Sequence, residues 1–186
     1  MEAADDEIVR QVLGGRRNRY RILISRYERQ IFNLMFRYSR NDEDAVDLTQ
    51  EAFVKAYSRL EQYRYGDRFF SWFYSLAVNL ARDWYRRKRR HHEMHANLFQ
   101  EAEAPGHIST QEEQLEQSQE MALLEDALGQ LSHVNREIVI LRYRQERPIK
   151  EIMEIFDMGE SAVKMRLSRA VKQLRQIIHG LTENEK

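Results

Sequence analysis

Aromatic and basic side chains are concentrated between residues 57 and 90, in a pattern that suits the binding of unpaired bases. Ten of the 19 aromatic residues lie from Tyr57 to Tyr85, and six Lys or Arg side chains lie from Arg82 to Arg90. Flat rings stack on bases, and cationic side chains follow the phosphates. This composition therefore favours a site for single-stranded or flipped-out nucleotides.

Helical spacing divides this segment into two faces. One face predicts a buried apolar stripe of Phe69, Trp72, Phe73, Leu76, Ala77, Leu80, Ala81 and Trp84. The opposite face carries Ser75, Asn79, Arg82 and Arg86. Because Tyr63, Tyr65 and Tyr74 fall off the stripe and beside the basic face, we predict that they face nucleic acid. The alternative is that these rings only fill a small core.

A second basic region lies near the C-terminus and is typical of a helix-turn-helix. Pro148 opens a short apolar helix, IKEIMEIF, and the turn DMGE follows. Ser161, with Glu160, can cap the next helix. That helix carries five positive charges, at Lys164, Arg166, Arg169, Lys172 and Arg175. A basic helix after a tight turn indicates a recognition helix for duplex DNA, and an ordinary helical hairpin with a solvated basic face is the alternative.

The sequence carries little that could support catalysis. It has no cysteine, which excludes thiolate zinc sites and cysteine nucleophiles. His91, His92 and His95 lie close together, but HEMHA has Ala96 where a zinc-protease motif needs histidine. We therefore predict a protein that is not an enzyme and has no cofactor or metal. An acidic N-terminus and the lack of a long apolar run predict a cytoplasmic location.

The elements that hold these residues are predicted to be helices, with few proline and glycine residues to interrupt them. The chain has 186 residues, two prolines and seven glycines, and the glycines fall near breaks in the apolar pattern. We predict an all-α fold with helices at about 4–13, 17–39, 42–60, 69–90, 112–128, 133–145, 148–156 and 161–178.

Charge divides the chain into two small domains. The 30 basic and 30 acidic residues cancel, yet no Lys or Arg occurs from His91 to Asn135, where nine acids lie. We predict a first domain at 1–91, a flexible acidic linker at 92–111 and a second domain at 112–186. In the first domain, Asn41 and Asp42 can cap helix 42–60. Its outer face carries Asp47, Gln50, Glu51, Val54 and Ser58. From residue chemistry alone, this face is interpreted as a solvated acidic surface.

Three segments in order give a more specific interpretation. DAVDLTQEAFVKAY (44–57), FFSWFYSLAVNLARDWYRRKRR (69–90) and KEIMEIFDMGESAVKMRLSRAVKQL (150–174) resemble the extracytoplasmic-function (ECF, group IV) sigma factors of bacterial RNA polymerase, in the sigma-70 family. The resemblance covers nearly the whole chain apart from the linker. It implies two helical domains, regions 2 and 4, which bind core polymerase through its β′ clamp helices and its β subunit. An anti-sigma factor is a further expected partner.

The resemblance also implies roles for individual residues. Asp47, Gln50, Glu51 and Val54 would bind polymerase. Tyr63, Tyr65, Tyr74, Ser75, Asn79, Arg82 and Arg86 would bind the minus-ten element as single-stranded DNA, with Asn79 at a flipped base. Ser161, Lys164, Met165, Arg166, Ser168, Arg169 and Lys172 would bind the minus-thirty-five element as a duplex.

Three residues depart from the family pattern in the helix-turn-helix. Met153 stands where a small alanine is usual, Ala162 replaces a threonine, and Met165 replaces a small polar residue. We expect these changes to affect promoter preference. The alternative function is a stand-alone helix-turn-helix regulator of duplex operators, which would need neither the aromatic segment nor the acidic linker.

Overall fold

The computed structural model describes residues 4–66, 68–95 and 115–184, and these residues form helices and turns without a β-strand. The all-α prediction is therefore confirmed. The chain forms two compact units, with residues 4–95 in the first and residues 115–184 in the second.

Four helices build the first unit. They are α1 (Asp5–Leu13), α2 (Tyr20–Ser39), α3 (Asp42–Ser58) and α4 (Phe69–His95), and short 3₁₀ turns lie at Arg17–Arg19 and Leu60–Gln62. Helix α2 packs against both α3 and α4, α3 packs against α4, and α1 packs against α2 and the second 3₁₀ turn. The α2 residues that enter the core follow helical spacing, namely Tyr20, Leu23, Tyr27, Ile31, Leu34, Met35 and Tyr38.

The connection from α2 to α3 is set by two neighbouring residues. Arg40 adopts the left-handed conformation, with φ 55°, which ends α2. Asn41 then caps α3 as predicted, because its side chain accepts a hydrogen bond from the backbone N–H of Asp44 at 2.9 Å. Three acidic residues in the first turn of α3 stabilise the helix, because they lie at the positive end of its dipole.

Tyr20 connects α2 to α3 through a buried hydrogen bond. Its hydroxyl donates to the backbone carbonyl of Phe53 at 2.8 Å, and its ring lies edge-on to Tyr57 with centroids 5.0 Å apart. Burial, and secondarily the neighbouring Tyr57, raises the pKa of Tyr20 above its ordinary value. The folded chain therefore keeps this hydroxyl protonated at pH values where the unfolded chain releases the proton.

We expect Tyr20→Phe to change how stability depends on alkaline pH. A group whose pKa is raised by folding stabilises the protein fully below its unfolded pKa, about 10 for tyrosine, and that stability is lost as pH rises further. The wild type should be more stable by about 1 kcal/mol at pH 8, because Tyr20→Phe removes the buried hydrogen bond to the Phe53 carbonyl. Urea unfolding at pH 8 to 11 measures this difference, which should shrink above pH 10. Parallel curves for the two proteins would contradict the assignment.

Helix α8 organises the second unit. The elements are α5 (Leu115–Gly129), α6 (His133–Val139), a π-helical turn (Ile140–Arg144), α7 (Ile149–Phe156) and α8 (Glu160–Asn184). Helices α5, α6 and α7 all pack against α8. The residues of α8 that are buried in this core are Val163, Leu167, Ala170 and Leu174. Val171 and Ile178, which the apolar spacing also predicts to face inward, are half-buried.

A buried arginine closes the C-terminus of α5. The Arg136 guanidinium donates to the backbone carbonyls of Leu128 and Gly129, each at 2.8 Å. Carbonyls at a helix C-terminus have no partner within the helix, and a cation there also matches the dipole. Arg136 thereby fixes α6 against the end of α5 without help from a glycine in the left-handed conformation.

The predicted boundaries need three corrections. Helix α4 continues to His95, so the first four residues of the predicted linker are helical, and residues 96–111 lie outside the described residues. Helix α8 continues through Gly180 to Asn184 instead of ending at 178. The predicted helix 133–145 is α-helical only to Val139 and then widens into the π turn. The proposed domain limits at 91/92 and 111/112 remain predictions.

Candidate nucleic-acid interface

Helix α4 presents one exposed stripe of mixed chemistry, here called the α4 face. Its members are Trp72, Ser75, Asn79, Arg82 and Arg86, spaced by three or four residues. Asn79 and Arg86 are exposed, and the other three are half-buried. Arg86 lies 3.6 Å from the Asp83 carboxylate, an exposed pair that a phosphate could displace at little cost. The face thus offers a ring, a hydroxyl, an amide and guanidinium groups in sequence along 15 residues.

The segment 60–66, here called the 60–66 loop, lies at the N-terminal end of this face. Tyr65 is 46% exposed, and the Arg10 guanidinium lies 5.0 Å from the centre of its ring. Tyr63 lies beneath it, with its ring 5.5 Å from that of Trp72 and 6.1 Å from that of Tyr65. Tyr65 and Trp72 are therefore the two rings here with free surface for stacking.

Helix α3 presents a second exposed surface, the α3 face, made of Asp47, Gln50, Glu51 and Val54. All four are exposed, and Val54 is 68% exposed although it is aliphatic. The opposite side of α3 is buried through Ala45, Leu48, Ala52, Phe53 and Ala56. An acidic surface with an exposed valine at its C-terminal end is suited to a protein partner that combines basic groups with an apolar contact.

The second unit contains the predicted helix-turn-helix. Helix α7 ends at Phe156, and Asp157 follows it in the left-handed conformation, with φ 52°. The N–H of Met158 donates to the Met153 carbonyl at 3.0 Å. Asparagine and aspartate tolerate this conformation better than most residues. Gly159 has an ordinary φ, and its carbonyl accepts the first helical bond of α8, from Val163.

The exposed side of α8, here called the α8 face, begins at its first turn. It comprises Ser161, Lys164, Met165, Ser168, Arg169 and Lys172. Lys164 pairs with exposed Glu160 at the helix start, and the hydrogen bond and charge of Lys164 lower the pKa of Glu160. Met165 is 49% exposed, so an apolar side chain stands among polar and cationic ones.

Known proteins match both units. The Sigma-70 region 2 family model matches residues 23–91, and the Sigma-70 region 4 model matches residues 121–174. The RNA polymerase sigma factor SigV of Bacillus subtilis is 31% identical over 82% of this chain and 86% of its own length. An ECF RNA polymerase sigma-E factor of Haemophilus influenzae is 28% identical over 97% of this chain and 98% of its own length.

This chain belongs to the ECF sigma factors of the sigma-70 family. It is accordingly a transcription initiation factor and not an enzyme.

Solved structures agree with the sigma-factor fold. CnrH, solved in complex with the cytosolic domain of CnrY, superposes with a TM-score of 0.70 at 20% identity, over 96% of this chain and 99% of that one. RpoE of Bartonella quintana, solved with the anti-sigma factor NepR, gives a TM-score of 0.67 at 20% identity, over 86% and 96% of the two chains. In the described part of this sigma factor, no helix is long and apolar enough to cross a membrane.

Two tyrosines of the sigma factor are not where the sequence predicted. Tyr74 is fully buried, with its ring 5.0 Å from Phe70 and its hydroxyl 3.3 Å from Arg37 Nη2. Tyr63 is 4% exposed and packs among Tyr65, Phe69 and Trp72. The prediction that both lie outside the core is wrong. Tyr74 is buried because α4 packs against both α2 and α3, so that its buried arc is wider than one stripe. Tyr63 precedes α4 and is buried by the surrounding rings.

The buried arc of α4 is also rotated from the predicted one. Phe70, Tyr74 and Val78 are buried, whereas Trp72, Leu76 and Trp84 are only half-buried. Lys88 Nζ lies 4.9 Å from the centre of the Trp84 ring, and it also donates a hydrogen bond to Asp44 Oδ2 at 3.2 Å. In α3, Tyr57 follows the buried Phe53 at helical spacing, yet it is partly exposed, with its ring edge-on to Tyr20.

One residue of the predicted recognition surface faces away from it. Arg166 is half-buried, and its guanidinium donates to the Asn135 side chain of α6 at 3.1 Å. Position 166 lies on the flank of α8, between its core and its exposed side. Arg166 therefore connects α8 to α6, and we leave it out of the α8 face.

Sequence reasoning missed the contribution of α1 to the 60–66 loop. Asp6 Oδ1 accepts a bond from the Tyr63 hydroxyl at 2.5 Å, and Asp6 Oδ2 accepts the Gly66 N–H at 3.2 Å. In the sequence, Asp6 only marks the acidic first turn of a helix. Nothing in the local pattern connects it to residues almost 60 positions later.

Proposed function

We propose that this sigma factor binds core RNA polymerase through the α3 face and directs it to promoters through the α4 and α8 faces. The α4 face and the 60–66 loop would hold the minus-ten element as single-stranded DNA, and the α8 face would bind the minus-thirty-five element as a duplex. The observation that supports this most directly is the α4 face itself. One side of the helix is core, and the other aligns a ring, an amide and guanidinium groups.

The energetics favour capture of opened bases over melting by the sigma factor alone. Opening a dozen base pairs costs on the order of 15 kcal/mol, at about 1.4 kcal/mol per step. Stacking on Tyr65 and Trp72 returns about 1–3 kcal/mol per base. Core polymerase must therefore supply most of the free energy, and we place this activity in the cytoplasm, where that enzyme works. Linking two weak DNA sites on one polymerase then gives the promoter specificity.

The burial of Tyr63 and Tyr74 reduces the set of residues proposed to contact the minus-ten element. We retain Tyr65, Ser75, Asn79, Arg82 and Arg86 as contacts, and we add Trp72 because its ring has free surface. Tyr63 and Tyr74 would support the site from within the core instead of touching DNA.

The minus-thirty-five assignment rests on the α8 face. Cations such as Lys164, Arg169 and Lys172 would meet phosphates, and Met165 and Ser168 would lie toward base edges. Ala162 is half-buried at the start of α8 and Met153 is half-buried in α7. Both would act on promoter preference through the fit of α7 against α8.

Size-exclusion chromatography with purified core polymerase tests the proposal. The chain should co-elute with bacterial core polymerase, and the holoenzyme should then select promoters from a randomised library. A folded chain that fails to co-elute, yet binds duplex operators without polymerase, would instead support the stand-alone regulator, which family membership does not favour.

Arg169→Ala should weaken use of the minus-thirty-five element. Loss of one phosphate contact is expected to reduce holoenzyme affinity for promoter DNA by about tenfold and the slope of log affinity against log salt by about 0.9. Filter binding from 50 to 200 mM salt measures both. Arg144→Ala is the matched control, because Arg144 lies on the π turn and pairs with Glu125 at 3.4 Å. Equal slopes for wild type and Arg169→Ala would refute the contact.

We also infer an anti-sigma factor as a partner. RpoE of Bartonella quintana was solved with the anti-sigma factor NepR. In this chain, each of two proposed binding surfaces includes an exposed apolar side chain, Val54 on the α3 face and Met165 on the α8 face. A protein that covers Val54 would compete with core polymerase for the chain.

A further inference from the structure

Helix α1 holds the 60–66 loop through one carboxylate. Asp6 accepts two hydrogen bonds, from the Tyr63 hydroxyl at 2.5 Å and from the backbone N–H of Gly66 at 3.2 Å. Both acceptor oxygens are used, so Asp6 fixes a side chain and the backbone three residues beyond it. Hydrogen bonds to an ionised carboxylate are stronger than neutral ones.

The same helix is itself fixed to the first unit. Ile8, Val9 and Val12 are buried. Asp5 accepts bonds from Arg26 and from the Tyr27 hydroxyl, both on α2. Asp6 is therefore a fixed point relative to the core, and the loop is held against it.

Tyr63 transmits this restraint to the rings that have free surface. Its ring contacts Trp72 and Tyr65, with centroids 5.5 Å and 6.1 Å away. Tyr63 is also packed on Phe69, with centroids 5.6 Å apart. A swing of the whole Tyr63 side chain would move its ring against both Tyr65 and Trp72. The hydrogen bond from its hydroxyl to Asp6 opposes that swing. Arg10, one turn later on α1, adds a second tie through its position over the Tyr65 ring.

We propose that Asp6 is a positioning residue for the capture of opened promoter bases, acting through Tyr63 to fix the Tyr65 and Trp72 rings. The proposal rests on the function assigned above to the α4 face and the 60–66 loop. It gives α1 a part in promoter opening, although α1 carries no side chain expected to read a base.

Asp6→Asn in the holoenzyme tests the proposal. We expect about tenfold weaker binding of a single-stranded minus-ten oligonucleotide, because one charged acceptor becomes an amide donor. Affinity for core polymerase should stay within twofold of wild type. Glu7→Gln is the matched control, since it makes the same carboxylate-to-amide change one residue later, where the carboxylate accepts a hydrogen bond from the Gln11 side chain of α1 itself.

Tyr63→Phe keeps the test valid even if Asp6→Asn disturbs α1. It removes only the hydroxyl, and it should weaken oligonucleotide binding to a similar extent. If Asp6 acts through Tyr63, the double variant should lose little more than Asp6→Asn alone. Additive losses would refute the coupling. Tighter oligonucleotide binding in either single variant would also refute it, because Asp6 would then hold the loop shut.

Tryptophan quenching gives a readout that a general loss of stability would not produce. Trp84→Phe leaves Trp72 as the only tryptophan of the sigma factor, and quenching is measured on this chain without polymerase. In that background, Asp6→Asn should raise acrylamide quenching of Trp72 without lowering the urea midpoint, and unchanged quenching would overturn the proposal. Asn79→Ala separates the two hypotheses. If it weakens oligonucleotide binding and Asp6→Asn does not, only the role of Asp6 fails; if neither variant has an effect, the assigned single-strand site fails.

Discussion

Val54→Arg on α3 is expected to reduce the affinity of this sigma factor for core RNA polymerase by about a hundredfold, equivalent to roughly 2.7 kcal/mol. Val54 is the most exposed large aliphatic side chain described in the chain, and Gln50 and Glu51 flank it on the α3 face. Burying a valine contributes about 1.5–3 kcal/mol, and a buried arginine opposite a basic partner adds desolvation and repulsion. A fluorescently labelled chain titrated with core polymerase at fixed salt measures the loss.

Val46→Arg is the matched control for this prediction. Val46 is also exposed on α3, but it lies eight residues earlier, about 80° around the helix. Surface substitutions of this kind change stability by about 0.5 kcal/mol or less, so both variants should unfold near the wild-type midpoint. Equal losses of polymerase affinity in the two variants would show that added charge, and not the α3 face, is responsible.

The helices and their exposed faces could be predicted because they depend on local periodicity. Asn41 before an acidic turn predicts the start of α3, and the alternation of Ala45, Leu48 and Ala52 with Asp47 and Glu51 predicts which side is buried. The same reasoning places Val163 and Leu167 inward in α8. Helical spacing therefore gives the direction of the buried side, even though α3 and α8 each pack against more than one helix.

The errors concern the width of a buried side and contacts between distant segments of the chain. Tyr74 is one helical step from the predicted stripe, yet α4 contacts both α2 and α3, so positions on both flanks of the stripe are covered. Tyr63 is buried for a different reason. Its hydroxyl is bonded by Asp6, 57 residues earlier, and no periodicity within a segment can reveal such a contact.

Charged groups in the second unit show a similar limit. Arg136 is buried because three carbonyl groups at the end of α5 surround it, and Arg166 is withdrawn from the exposed side of α8 by Asn135. A run of basic residues predicts a positive surface, but not which of its members is used to join helices. The sequence also does not show which residue of the α7–α8 turn adopts the left-handed conformation. Asp157 adopts it, although Gly159 in the same turn would do so at less cost.

Asn79→Ala is expected to reduce the stability of open promoter complexes by about ten- to a hundredfold while leaving polymerase affinity unchanged, since a bidentate contact with one base contributes about 1–3 kcal/mol. Asn79 is exposed at the middle of the α4 face, between Ser75 and Arg82. Alanine favours a helix more than asparagine does, so the variant should fold at least as well as wild type. Asn33→Ala makes the same change at an exposed position of α2 and should have no effect on open complexes.

The measurement that isolates this contact combines the variant with an altered base. Holoenzyme is mixed with a selected promoter, and the lifetime of heparin-resistant complexes is recorded on normal DNA and on DNA lacking one minus-ten base at a time. At the position that Asn79 reads, removing the base should shorten the wild-type lifetime and have little further effect on Asn79→Ala, because the interaction is already lost. Additive losses at every minus-ten position would mean that Asn79 contacts no base. Reduced core binding by the variant would assign its role to assembly with polymerase instead of to DNA.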